Sequence, residues 1–307
     1  MQNKFLVISS ELREAKNNSL FLSGTLAAAG GAQYKFISFN YKGEAFAPGT
    51  VVVADYSEDS YNGQTQLKVQ SIHQVHDPDF VMQAAKKSTL DIERLFQEIQ
   101  STVAAMESAF IRDLLNEILF TKPAICHKFK IAPAATGVHN AWVGGLCEHV
   151  WSMMRIAKSL VHHYSSTYNI PVSEDKVLFG VIMHDLGKIM EYDVANPAFP
   201  LTPGGVLANH IVTGPLYVYQ AATKVRTMDA TVYNDTMELI HLIASHHGEI
   251  EWGSPVRPAT IEAMILHHVD NLDTKVMHSI ELATGEEGNI AGFSKWSKII
   301  GTNMKKV

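Results

Sequence analysis

Val177-Leu-Phe-Gly-Val-Ile-Met-His-Asp-Leu-Gly-Lys188 begins as the buried side of a helix and ends in groups that do chemistry. Val177 and Val181 lead at helical spacing to His184, so an imidazole takes the place of the next core residue. Asp185 stands beside it in the last turn, and Gly187 is placed to stop a helix of about 174–186. Three further helices, at about 144–165, 235–247 and 258–278, have the same design. Leu146, Met153, Ile156 and Leu160 draw a buried stripe that includes His149. Leu239 and Ile243 lead to His246-His247 and then Gly248, and Ala263 and Leu266 lead to Asp270. A long irregular connection, marked by Asn196-Pro-Ala-Phe-Pro200 and Pro203-Gly204-Gly205, ends near His210.

One histidine on an apolar face is usually a hydrogen-bonded core residue, and His162-His163 and His267-His268 fit that description. Several helices that each send a ligand-type side chain inward are a different matter. A carboxylate such as Asp270 on a buried stripe costs several kcal/mol unless paired or metal-bound. Mixed imidazole and carboxylate donors suit Mn²⁺, Co²⁺, Fe, Zn²⁺ or Mg²⁺ better than a closed structural zinc, with Mn²⁺ favoured. Cys147, two residues from His149, faces elsewhere on its helix. If two ions are present, Asp185 is the natural bridge, since a carboxylate has an oxygen for each. His149, His184 and Asp270 would complete one site, and His210 with His246 (or also His247) the other. Two ions about 3.5–4 Å apart hold a phosphate and acidify a water, which then serves as nucleophile. No motif offers a Ser or Cys nucleophile.

The first 77 residues have another character. Leu20–Leu26, Gln33–Phe39, Thr50–Tyr56 and Gln66–Ile72 are short, partly alternating and rich in β-branched and aromatic residues. Gly30-Gly31, Gly43, Pro48-Gly49 and Asn62-Gly63 punctuate them, and Asp77-Pro78 closes the region. So many strands in so few residues indicate a small barrel, with a five-stranded OB-like barrel the natural form. From Phe80 the period turns helical. Leu90, Ile92, Leu95, Phe96, Ile99, Val103 and Met106 form one apolar stripe, broken later at Lys122-Pro123. The expected fold is therefore multi-domain α+β, a small N-terminal barrel followed by an all-α domain. Its divisions are 1–77 barrel, 78–135 helical linker region, 136–285 catalytic domain and 286–307 a weakly patterned tail.

Composition narrows the class. The 307 residues are 46% hydrophobic and 18% charged, a globular balance. No run approaches the ~20 apolar residues of a membrane span. With only Cys126 and Cys147 and no signal-peptide pattern, a cytoplasmic setting without membrane partners is expected. The net charge of −6 does not advertise a nucleic-acid binder, although a local groove can be basic on an acidic protein. Fifteen histidines are the abnormal number, and most fall after residue 120.

His149, His184-Asp185 and Asp270 resemble the HD superfamily, whose pattern is a His, a His-Asp pair and a distant Asp. Val143-Gly-Gly-Leu-Cys-Glu-His149, Met183–Lys188, Leu207-Ala-Asn-His-Ile211, Ser245-His-His-Gly248, Gly253-Ser-Pro-Val-Arg-Pro258 and Glu262–Asp273 are similar to the YhaM-type 3′→5′ exoribonuclease family. That resemblance covers nearly the whole chain and implies an OB-fold domain ahead of an HD domain. It implies hydrolysis of single-stranded RNA, or DNA, from the 3′ end, with Asp185 and Lys188 at the chemistry and Lys188 on substrate phosphate. Arg257 is a second phosphate candidate. His139 occupies the place of the family's paired histidines ahead of the first ligand, a substrate-contacting position. Departures are Asn140 in that pair and Asn209 where the family usually has Gly.

In the barrel region, Phe36, Phe39 and Tyr41 are candidates for stacking on bases. Six Lys/Arg against seven Asp/Glu in residues 1–77 leave any grip to stacking, or to a cluster such as Lys35, Lys42 and Lys68. The competing expectation is an HD-type phosphohydrolase acting on small nucleotides or cyclic dinucleotides. The barrel favours a polymer, since a small nucleotide needs no such handle. Homo-oligomerisation is left open.

Overall fold

The computed structural model describes residues 1–15, 18–61, 64–135, 141–285, 288 and 290–307. They divide into two compact units. One comprises Met1–Lys87, Ala195–Pro200 and His278–Val307, and the other Ser88–Val194 and Leu201–Met277.

The first unit is built on a closed five-stranded barrel of β1 (Gln2–Glu14), β2 (Leu20–Ala27), β3 (Gln33–Phe39), β4 (Val51–Tyr61) and β5 (Gln64–Gln74). Its strand order is β1-β2-β3-β5-β4, closing through antiparallel β1 and β4, with β3 and β5 parallel. That order is the OB-like barrel. Leu6 lies opposite both Ala27 of β2 and Val51 of β4, and an irregularity between Val7 and Ser9 bends β1 so that it serves two neighbours. Phe5, Val7, Leu22, Leu26, Phe36, Val52, Leu67 and Val69 fill the interior. A second cluster, with Leu6, Ala27 and Val51, is covered by Phe80 and Ala84 at α1 (Pro78–Gln83). Residues after 286, expected as a weakly patterned tail, include a hairpin of β6 (Phe293–Ser297) and β7 (Thr302–Lys305).

The second unit is helical. In chain order it holds α2 (Ile92–Ala104), α3 (Ala109–Leu115) continued by a π-helical turn, α4 (Pro123–Ile131), α5 (Gly145–Tyr168), α6 (Glu174–Met183), α7 (Lys188–Glu191), α8 (Pro203–Leu207), α9 (His210–Val225), α10 (Ala230–Ser245) and most of α11 (Ile261–Thr284). Leu95, Phe96, Ile99, Val103 and Met106 are buried as the stripe requires, whereas Leu90 precedes the Asp91 cap of α2 and is exposed. Pro123 does not break a helix but starts one, as the first residue of α4. Phe179, Val181, Leu239, Ile243 and Leu266 join the central core.

Two differences from the sequence expectation bear on the site. First, α6 ends at Met183, and Gly187 does not stop it with a left-handed residue; its backbone is ordinary right-handed helical. A Cβ at Gly187 would fall 2.7 Å from His210 Cα and 2.6 Å from Thr213 Oγ1, so this glycine permits close approach of α9. Secondly, α9 itself was not expected, because Gly214 and Pro215 interrupt its pattern. Gly248, by contrast, has the expected positive φ (83°) after His246-His247.

Candidate metal centre

The ends of α6, α9 and α10, the first turns of α5 and the middle of α11 bring His149, His184, Asp185, His210, His246, His247 and Asp270 together. Asp185 is the hub. Its Oδ1 lies 3.5 Å from His210 Nε2 and 3.9 Å from His246 Nε2, and its Oδ2 lies 3.3 Å from His184 Nε2. His149 Nε2 lies 3.3 Å from Asp270 Oδ1. The imidazole of His184 is 5.5 Å from that of His149 and 5.0 Å from that of His246, centre to centre. Two triads each offer ligand atoms within 4.8 Å of one another, His149-His184-Asp185 and His210-His246-His247.

The opposite nitrogen of every ring is held. Nδ1 of His184 meets Val181 O at 2.9 Å, that of His246 meets Ile243 O at 2.7 Å, and that of His247 meets Trp252 O at 3.0 Å. A carbonyl can only accept, so each Nδ1 carries a proton and each Nε2 of the neutral ring presents its lone pair. For His149 and His210 the acceptors are carboxylates, Asp273 at 2.7 Å and Glu191 at 2.6 Å. Glu191 Oε2 also accepts from the His210 backbone N–H at 2.7 Å, capping α9, which has no cap from the Asn209 side chain.

These constraints leave a conflict that a bound cation would resolve. Lone pairs of His184 and His210 face the oxygens of a buried carboxylate, acceptor against acceptor. Among the described residues, His184 Nε2, His210 Nε2 and Asp185 Oδ1 are buried without a hydrogen bond. The donor set therefore fits a divalent metal.

Electrostatics at the two aspartates and at His246 and His247 agree with that fit. Burial would raise the Asp185 pKa, but Lys188, whose Nζ lies 2.6 Å from Oδ2, together with His184, holds it well below the ordinary carboxylate range. Asp270 is likewise held down against burial, first by its hydrogen bond with His149. Burial lowers His246 well below its usual value, with the His184 charge adding to it, and burial lowers His247 too. His149 goes the other way. Its burial is outweighed by hydrogen bonds and charge from Asp270 and Asp273, which raise it to about 10.

The substrate candidates fare unevenly. Lys188 is nearly buried, bonded to Asp185 and to the carbonyl of Ala134. Arg257 is exposed and paired with Glu249 at 2.9 Å. His139 lies outside the described residues. Phe36 must be corrected: it is only 1% exposed, a barrel-core residue that cannot stack on a base. Its strand neighbour at the opposite pleat, Phe39, is 53% exposed and packs against Phe21 across β2. Tyr41 is half-buried, with its hydroxyl donating to Glu44 O at 3.2 Å. Lys35 and Lys68 are exposed on the paired strands β3 and β5. Sequence reasoning missed Asp273 and Glu191. Asp273 was findable, three residues after Asp270 on the same face of α11; Glu191 had no comparable signal.

Residues 146–275 match the HD domain family model, so the centre lies within a domain type that implies a divalent metal site. The chain is 34% identical over 233 residues to the 3′-5′ exoribonuclease YhaM of Geobacillus sp. (strain WCH70), covering 75% of this chain and 68% of the relative. It is 32% identical over 280 residues to the protein of the same name from Bacillus subtilis (strain 168), covering 89% and 85%. The chain belongs to the YhaM family. Its OB-like barrel and HD domain occur in the order expected for that family. No helix among the described residues is long and apolar enough to cross a membrane.

Proposed function

We propose that this protein is a metal-dependent 3′→5′ exonuclease of single-stranded RNA, with single-stranded DNA as a further substrate. The observation that carries the metal part is the set of buried, unbonded acceptors facing one another around Asp185. The polymer part rests on the named function of the relatives and on the barrel. Residues 1–77 are proposed as the strand-binding domain, 78–135 as the connecting region and 136–285 as the phosphohydrolase domain, followed by a C-terminal tail.

Two ions are proposed, Mn²⁺ favoured. His149, His184 and Asp270 would hold one, and His210, His246 and His247 the other, with Asp185 shared. Bound there, the metal polarises phosphoryl oxygens and acidifies water near neutral pH. The chain's own residues do the rest. Asp273 and Glu191 fix the tautomer of His149 and His210, and three backbone carbonyls fix the others. Lys188 offsets the charge of Asp185 and offers the ammonium closest to where phosphate would lie. Arg257 is exposed, with its Nε paired to Glu249.

The test is a 5′-labelled single strand given to the purified, Mn²⁺-supplied protein. A descending ladder with release of mononucleotides is expected. An intact strand, or cyclic dinucleotides and nucleoside phosphates hydrolysed far faster than oligonucleotides, would sink the reading.

A further inference from the structure

The short 3₁₀ turn Ile250–Trp252, beside the histidine cluster, has an arrangement that its fold does not require. Trp252 is 56% exposed, although tryptophan is among the more buried residue types. One exposed aromatic is unremarkable; the way this one is anchored is not. Its backbone carbonyl accepts from His247 Nδ1 at 3.0 Å, so the residue is one hydrogen bond from the cluster. Its ring lies 6.0 Å from that of buried His267, whose Nδ1 in turn bonds His246 O at 2.8 Å. The turn is also stiff. Gly253 closes it at φ 89°, and buried Ser254 donates within reach of both Ala244 O (3.1 Å) and Val256 O (2.7 Å). The backbone of Trp252 is thus tied to the cluster, and its indole, beside His267, is left largely open to solvent.

We propose that Trp252 is a substrate-positioning residue, on which a base flanking the scissile phosphate stacks. This rests on the strand-hydrolysing reading above. An indole face accepts any base, since every base has a π-face, so this contact would position the strand end without selecting sequence. It suits an enzyme that must place each successive nucleotide in the same register.

The full-length protein with Mn²⁺ supplies the test, as wild type, Trp252→Ala and Trp252→Phe. Both variants keep the backbone carbonyl that holds His247, so metal content by elemental analysis should match wild type. On mixed-sequence RNA, Trp252→Ala should raise KM about five- to 150-fold, the usual range for losing one base–aromatic stack, with a much smaller change in kcat. Trp252→Phe should retain most of the affinity. Strands made abasic at the last or the penultimate nucleotide should, at one of the two positions, erase the difference between wild type and Trp252→Ala. An unchanged KM for Trp252→Ala overturns the proposal. So does a defect that persists on both abasic strands, because the tryptophan would then only prop the loop. A wild type that shortens no strand condemns the exonuclease reading instead, and is told apart by that result alone.

Discussion

The barrel and the helical unit dispose of polar groups in opposite ways. In the barrel the apolar cluster from Phe5 to Val69 is accompanied among the described residues by small buried hydroxyls, Thr25 and Ser38, with no buried charge, and Lys35 and Lys68 stand outside on β3 and β5. The helical unit buries His149, His184, Asp185, Glu191, His210 and His246 at or near helix ends, and Asp273 in the middle of α11. Burying such groups is unfavourable unless each finds a partner, and here the remaining lone pairs converge on one point. One unit buries a nearly all-apolar core; the other accepts instability at a centre that a cation can repair.

The largest test of that contrast is Asp185→Ala. It should remove nearly all turnover and the bound metal while leaving the fold intact; metal retained by elemental analysis would disprove the bridging role. Next comes Phe36→Ala, which should destabilise the barrel by about 3–5 kcal/mol in denaturant unfolding. Phe39→Ala, three residues further on and on the opposite face, should leave stability nearly unchanged and weaken strand binding by about fivefold, the low end for one base stack. If both behave alike, the inward and outward assignments are wrong.

Glu191→Gln and Asp273→Asn probe the ring-holding carboxylates. Each should weaken metal binding by about 10–100-fold, read by competition with a chelating dye. The smallest effect is on pH. In chelator, hydrogen exchange on the intact chain should show the helical unit best protected near pH 6.5. Below that, His246 and His247 take up protons more readily unfolded than folded. Still lower, the depressed Asp185, Asp270 and Glu191 do the same, so stability falls with pH. Above it, the contribution of His149 is lost as pH rises toward about 10. The barrel unit should follow the acid limb only weakly, through Asp77 held low by its hydrogen bond with Lys4, and not the alkaline limb set by His149.

Most of this architecture was legible in local pattern. Strand alternation and turn glycines announced the barrel, and helical spacing placed His149, His184, His246 and Asp270 on inward faces. What escaped depended on distant partners. Helix α9 carries Gly214 and Pro215 and lacks a side-chain cap of its own; its first N–H is satisfied by Glu191, nineteen residues earlier. No window around His210 contains that information. Phe36 and Phe39 were separable in principle by pleat, but which of them faces inward follows from the register with β2 and β5. Gly187 read as a helix stop because its neighbours are helical, while its actual constraint is the backbone of α9.

The ring nitrogens also set what mutation can reach. His184, His246 and His247 are oriented by main-chain carbonyls, which no side-chain replacement deletes. His149 and His210 are oriented by Asp273 and Glu191, which single codon changes can alter. Metal preference in this lineage would therefore drift, or be engineered, through those two acids, leaving the other three rings as a frame that selection cannot easily move.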